Sequence, residues 1–246
     1  MRIRSLKYLI YRDFFLARKT IFINAALGLF LMIFGILVSL SSKYGNLALV
    51  PESYQEILGD MMFMFSCFLP VYACAGVGVS VIETMQFECD KKWRSFRLTT
   101  PVSGYMYALA RYIVILSAVS VCMGIALLYM WGNSLITGEP VSGESIAFML
   151  VLTFYFMMFS LLMQILIQVL GSADRAGIAM VILMIPAMFG VMWYGEKHML
   201  IPVDEPVMPS LVNLCAKHLP KVSVTFVVVL VISFILTAKL YKRREK

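Results

Sequence analysis

Charge is scarce in this sequence: only 14% of its 246 residues are Asp, Glu, Lys or Arg, against about 25% in a soluble domain. Histidine occurs twice, at His198 and His218, too far apart for a local metal motif, and no HExxH is present. The five cysteines (Cys67, Cys74, Cys89, Cys122 and Cys215) contain no CxxC and no paired spacing. A zinc site or a disulfide framework is therefore not expected, and they read as small apolar residues. There is no GxSxG elbow, and no GxxxxGK[ST] loop to cradle nucleotide phosphates. No Asp, Glu, Lys, Arg or His lies in the middle of a long apolar run, which disfavours an intramembrane protease or a proton-driven antiporter.

What is there instead is apolar. Hydrophobic residues make up 61% of the chain and the mean hydropathy is +0.87. A soluble domain holds about 45–50% apolar residues, and no polar segment here is long enough to build a soluble core. Crossing a bilayer takes about 20 apolar residues in a helix. Six runs meet that need, at 20–40, 61–82, 108–131, 146–170, 178–194 and 222–240. The expected fold is all-α: one integral membrane domain over 1–246 with six transmembrane helices. The first run starts late, is long and lacks a small-residue cleavage site, so it does not read as a signal peptide.

Lys and Arg set the orientation. With the N-terminus inside, the inner segments hold Arg2, Arg4, Lys7, Arg12, Arg18, Lys19, Lys91, Lys92, Arg94, Arg97, Arg111, Arg175, Lys239, Lys242, Arg243, Arg244 and Lys246. The outer side keeps Lys43, Lys197, Lys217 and Lys221. Seventeen against four places both termini of a multi-pass membrane protein in the cytoplasm. The net charge of +7 is thus a topology signal, and no nucleic-acid partner is implied.

The connections add detail. Residues 171–177 make a very short hairpin, so spans four and five must be antiparallel neighbours. Residues 195–221 form the longest outer segment, punctuated by Pro202, Pro206, Pro209 and Pro220. Within it, 210–219 reads either as a short surface helix or as a plain loop. At the other end, Ile3, Leu6, Ile10 and Phe14 stack on one side of a helix, with Arg4, Lys7, Arg12 and Lys19 mostly opposite. That pattern predicts an amphipathic interfacial helix over 2–18 before the chain turns into the membrane.

A few groups inside the spans invite a role. Gln164 and Gln168 are four apart and share a face; Asn24 lies near the inner end of span one. Such amides either join helices or line a substrate path. Pro70 and Pro186 can kink their helices and free backbone carbonyls. Ala73, Ala75, Gly76, Gly78 and Ser80 give span two a small face, for close packing or for a moving interface. Met180, Met184, Met188 and Met192 recur along span five, suited to varied apolar partners or to lipid.

One densely charged stretch interrupts the apolar sequence, ECDKKWRSFRLTTPVSG at 88–104. It lies inside, between spans two and three. Its helical part carries Glu88, Asp90, Lys91, Lys92, Trp93, Arg94, Phe96 and Arg97; Pro101 ends it. Ser103 is placed to cap the next helix, which carries Arg111 into span three. An inner loop needs only a few cations for topology. Aromatic residues and acids among them describe a docking surface for a protein.

Glu88 with its basic-aromatic run, then Thr100-Pro101-Val102-Ser103 and Arg111, resembles the ABC-2 type permeases, the six-span membrane subunits of ATP-binding-cassette exporters. The likeness extends to the cytoplasmic ends, the amphipathic N-terminal helix and the folded outer segment before span six. Within the family the chain is most similar to small permeases of peptide exporters, including the phenol-soluble-modulin exporter. The resemblance implies that segment 84–101 holds a coupling helix seated in a cleft of a separate ABC ATPase. It also implies a homodimer in a 2+2 assembly, with ATP and Mg held by the ATPase and no cofactor or metal in this chain. The implied function is a non-enzymatic permease that moves an amphipathic or hydrophobic substrate, peptide or lipid-like. The competing reading is a non-transporting immunity or sensor protein whose cytoplasmic loop binds a regulator.

Overall fold

No glycine or proline occurs in the first 27 residues, and nothing there breaks a helix. In a computed structural model, which describes residues 2–45, 102–138, 140–197 and 207–243, a single helix α1 runs Arg2–Tyr44. Four more follow: α2 (Gly104–Thr137), α3 (Gly143–Leu170), α4 (Ala173–Lys197) and α5 (Val207–Arg243). There is no strand among the described residues. Four helical stretches there are long and apolar enough to cross a membrane: Ser5–Ser41, Gly104–Thr137, Gly143–Leu170 and Leu211–Tyr241. The expected span at 61–82 lies outside the described residues, and so does the segment 84–101. The expected span at 178–194 falls within α4.

Two expectations need correction. The turn between an interfacial helix at 2–18 and a span at 20–40 is absent, because α1 is continuous. Its buried line near the N-terminus is Leu9, Asp13 and Ala17, four residues apart, while Phe14 stays exposed. Leu6 and Ile10 only flank that line. Packing of this stripe against α2 and α5 holds the N-terminal turns in line with the rest of the helix. The second correction is at Pro220, where α5 passes straight through the expected break. Proline cannot donate to the carbonyl four residues back. Just beyond it, two hydroxyls bond back within the helix: Ser223 Oγ donates to the Leu219 carbonyl (2.8 Å) and Thr225 Oγ1 to that of Lys221 (2.9 Å).

Cluster membership fixes the helix directions. The start of α1 packs on the start of α2 through Leu9, Tyr107, Ala108 and Ala110. Their far ends also meet, where Ser39 Oγ donates to Asn133 Oδ1 (2.6 Å) and Lys43 Nζ to the Ile136 carbonyl (2.6 Å). So α1 and α2 are parallel, and the chain between them must return from one end of the bundle to the other. Phe148 packs on Val212, and Phe154 stacks on Phe226 with centroids 4.7 Å apart. Hence α3 and α5 are parallel too, and both oppose α2. The return between them begins with α4, whose Ala176 packs on Ile167 of α3.

The tight α3–α4 turn is a sequence effect. Gly171 adopts φ +71° and its N–H closes on the Ile167 carbonyl (2.9 Å), a left-handed cap that disfavours any residue with a Cβ. A methyl group there would meet no atom within 4 Å. The cost of Gly171→Ala therefore comes from the backbone alone, about 1–2 kcal/mol. A lowered melting temperature in detergent is expected; an unchanged one refutes this account of the turn.

Candidate functional site

Polar side chains in this bundle gather at its two ends. At one end the start of α1, the start of α2 and the end of α5 converge. Arg111, on the second turn of α2, is 1% exposed, and Asp13 of α1 is 4% exposed. A charge buried that deeply needs a partner. Arg111 Nε lies 3.9 Å from Asp13 Oδ2, a charge contact too long for a hydrogen bond. The Asp13 carboxylate also accepts from its neighbour Arg12, with Nε 3.1 Å from Oδ1 and Nη2 on the same oxygen. Asp13 is thus held between two guanidiniums from different helices.

Aromatic rings close this cluster. Arg111 Nη1 donates to the Tyr241 hydroxyl of α5 (3.3 Å). Arg12 sits over the Tyr107 ring, 5.7 Å from its centroid, and Tyr107 lies 6.1 Å from Tyr241. Beside Arg111, the Tyr112 hydroxyl bonds to Ser233 Oγ, again joining α2 to α5, and Phe234 meets Tyr112 edge-on at 5.4 Å. Only arginine suits the centre. Its planar fork can face a carboxylate and a hydroxyl at once, and it stays charged when buried.

The opposite end has its own polar layer. Besides the Ser39–Asn133 and Lys43–Ile136 bonds, Asn213 of α5 faces Glu144 of α3, its amide nitrogen 3.1 Å from Oε1 when turned toward it. Ser142 caps α3 by accepting from the Ser145 N–H (3.0 Å). Between Arg111 and Asn133, α2 rises about 33 Å at 1.5 Å per residue. The hydrocarbon core of a bilayer is about 30 Å thick, so the two layers lie at the spacing of its two faces. Long apolar side chains cover the outside between them, such as Phe22, Phe30, Leu128, Val224 and Val227.

Of the residues singled out from sequence, Gln164 and Gln168 are both buried at 2% exposure on the inward side of α3. Gln164 Nε2 has no hydrogen-bond partner among the described residues. Asn24 is half-buried on α1 and Pro186 is exposed within α4; neither touches the Gln pair through a described bond. Ser103 does cap α2, but through its carbonyl, which accepts from Met106 and Tyr107, and not through its hydroxyl. Pro70, Glu88, Asp90, Lys91, Lys92, Trp93, Arg94, Phe96 and Arg97 lie outside the described residues. Sequence reasoning missed Asp13, Tyr241 and Ser233. One signal pointed to Asp13: it is the sole acid among the first 45 residues, in a segment otherwise basic.

No group of three or more metal-ligating side chains occurs among the described residues. Among the described residues the site consists of long helices tied together by polar contacts at their ends. A family model described as "ABC-2 family transporter protein" matches residues 8–242. Comparison with curated proteins and with solved structures found no match. The match covers nearly the whole chain and reaches every helix above, leaving out only the first six residues of α1 and the last of α5. The chain belongs to the ABC-2 transporter family and is a membrane permease subunit of an ABC transporter, a transport component that works with a partner ATPase and is not itself the catalyst.

Proposed function

We propose that this chain forms, with a second copy of itself, the translocation path of a six-span exporter for an amphipathic or hydrophobic substrate, a peptide or a lipid-like molecule. A separate ATPase binds ATP and Mg and drives it. The observation that carries this reading is the family match over 8–242 on a bundle of long apolar helices. The segment 84–101 supplies the coupling helix, with Glu88, Asp90, Lys91, Lys92, Trp93, Arg94, Phe96 and Arg97 facing the ATPase. Its position in the chain supports this, since it leads into α2 at the end of the bundle where Asp13 and Arg111 meet. The seventeen-to-four cation asymmetry puts that end in the cytoplasm. Gln164, with Gln168 on the same face of α3, suits the path itself, because the buried Gln164 amide donor lacks a partner among the described residues, which costs about 1–3 kcal/mol, and a polar group on the substrate relieves it.

Two measurements test this reading. Membrane-impermeant thiol labelling should reach Cys215 from outside and Cys89 only from inside; labelling of both from the same side sinks the six-span arrangement. Tagged chain should co-purify with an ABC ATPase and, when cross-linked in that preparation, yield dimers. A preparation without any ATPase, or one that captures a non-ATPase regulator, favours an immunity or sensor protein instead.

A further inference from the structure

We propose that Arg111 is a positioning residue that fastens the starts of α1 and α2 and the end of α5 into one unit. Through it, displacement of the chain just ahead of α2 would reach both other helices together. The functional half of this inference rests on the ATPase-coupled reading above; the mechanical half stands on geometry alone.

Arg111 sits on the second turn of α2, ten residues after Pro101. Its guanidinium points one way to Asp13 of α1, at 3.9 Å, and another to Tyr241 of α5, at 3.3 Å. One side chain therefore spans three helices. The aromatic contacts among Arg12, Tyr107 and Tyr241 enclose the same point. Where α1 meets α2 at the far end, the Ser39–Asn133 bond and the Lys43 bond to the Ile136 carbonyl each join those two helices only, and neither is an ion pair. A buried ion pair differs from a neutral contact in one respect. It tolerates little separation, because parting two charges away from water leaves each uncompensated. The starts of α1 and α2 must then shift together or the pair must break, and the Arg111–Tyr241 hydrogen bond draws the end of α5 along with them.

Hydrogen exchange of the full chain in lipid nanodiscs tests the mechanical half without any ATPase. In Arg111→Met, amides at 5–15 of α1 and 236–243 of α5 should both exchange about tenfold faster, the effect of losing one such local tie. Amides around Ser39 and Asn133 should stay as protected as before. Faster exchange confined to α2 overturns the link. If Arg111→Met fails to fold, Asp13→Asn and Tyr241→Phe carry the same readout. The functional half is read with the ATPase bound. The double variant Asp13→Asn/Arg111→Met removes both charges and should recover the wild-type melting temperature, since no lone charge stays buried. It should nevertheless export about tenfold less substrate per ATP, the scale of a typical coupling free energy. Recovery of melting and export together reduces the pair to a structural contact and overturns the proposal. Failure of the unaltered chain to hold an ATPase refutes the proposed function, and with it the functional half, while the exchange result still decides the link.

Discussion

Asp13→Ala is expected to lower the unfolding free energy of the purified chain in detergent by about 3–5 kcal/mol. The carboxylate lies between Arg12 and Arg111, and Arg111 is 1% exposed. Truncation leaves that guanidinium facing a methyl group in a site closed by Tyr107 and Tyr241. Arg12, whose side chain is 22% exposed, can turn to water; Arg111 has no such exit. The loss should therefore depend on Arg111. In Arg111→Met background, Asp13→Ala should cost far less, and the double-mutant cycle should show a coupling of about 0.5–3 kcal/mol. Equal costs in both backgrounds would mean that the two residues act independently.

The other large effect concerns the segment before α2. Trp93→Ala or Arg94→Glu should weaken capture of the partner ATPase about thirtyfold, from the loss of at least about 2 kcal/mol at an anchoring aromatic or arginine. Membrane insertion should persist, because no apolar run is altered. If Lys91 and Lys92 serve only topology, Lys91→Glu and Lys92→Glu will disturb orientation while Trp93→Ala is silent. Pull-down together with expression level separates these outcomes: unchanged capture for both Trp93→Ala and Arg94→Glu, at normal expression, removes 88–98 from the coupling mechanism.

Much of the architecture was legible from local signals. Apolar runs located α2 and α3, and the Gly171 turn placed α3 against α4, because the rise and length of a helix are set by adjacent residues. Ser103 and Pro101 marked the start of α2 for the same reason. What local patterns handled poorly was continuity. The amphipathic pattern over 2–18 suggested a boundary in α1, and Pro220 one in α5, yet helices much longer than the hydrocarbon thickness extend past both. Tertiary packing decided those cases, through Leu9, Asp13 and Ala17 in α1. The buried charge cluster was hidden for a different reason. Asp13 and Arg111 are far apart in sequence, and parallel packing of α1 and α2 brings them together. Parallel neighbours must be joined by a long intervening segment, so neither spacing nor periodicity can reveal such a pair. Gln164 and Gln168 were visible because both sit on one helix, where their four-residue spacing fixes their common face.

In the proposed function, ATP hydrolysed in a separate subunit moves substrate through this bundle. The most direct measurement reconstitutes the ATPase with this chain in inside-out proteoliposomes and follows ATP turnover alongside uptake of a labelled amphipathic helical peptide. The account predicts that the chain stimulates turnover, that peptide enters the lumen only with ATP and Mg, and that Arg94→Glu abolishes both. An ATPase that hydrolyses ATP at the same rate with or without the chain, while no peptide accumulates, contradicts it.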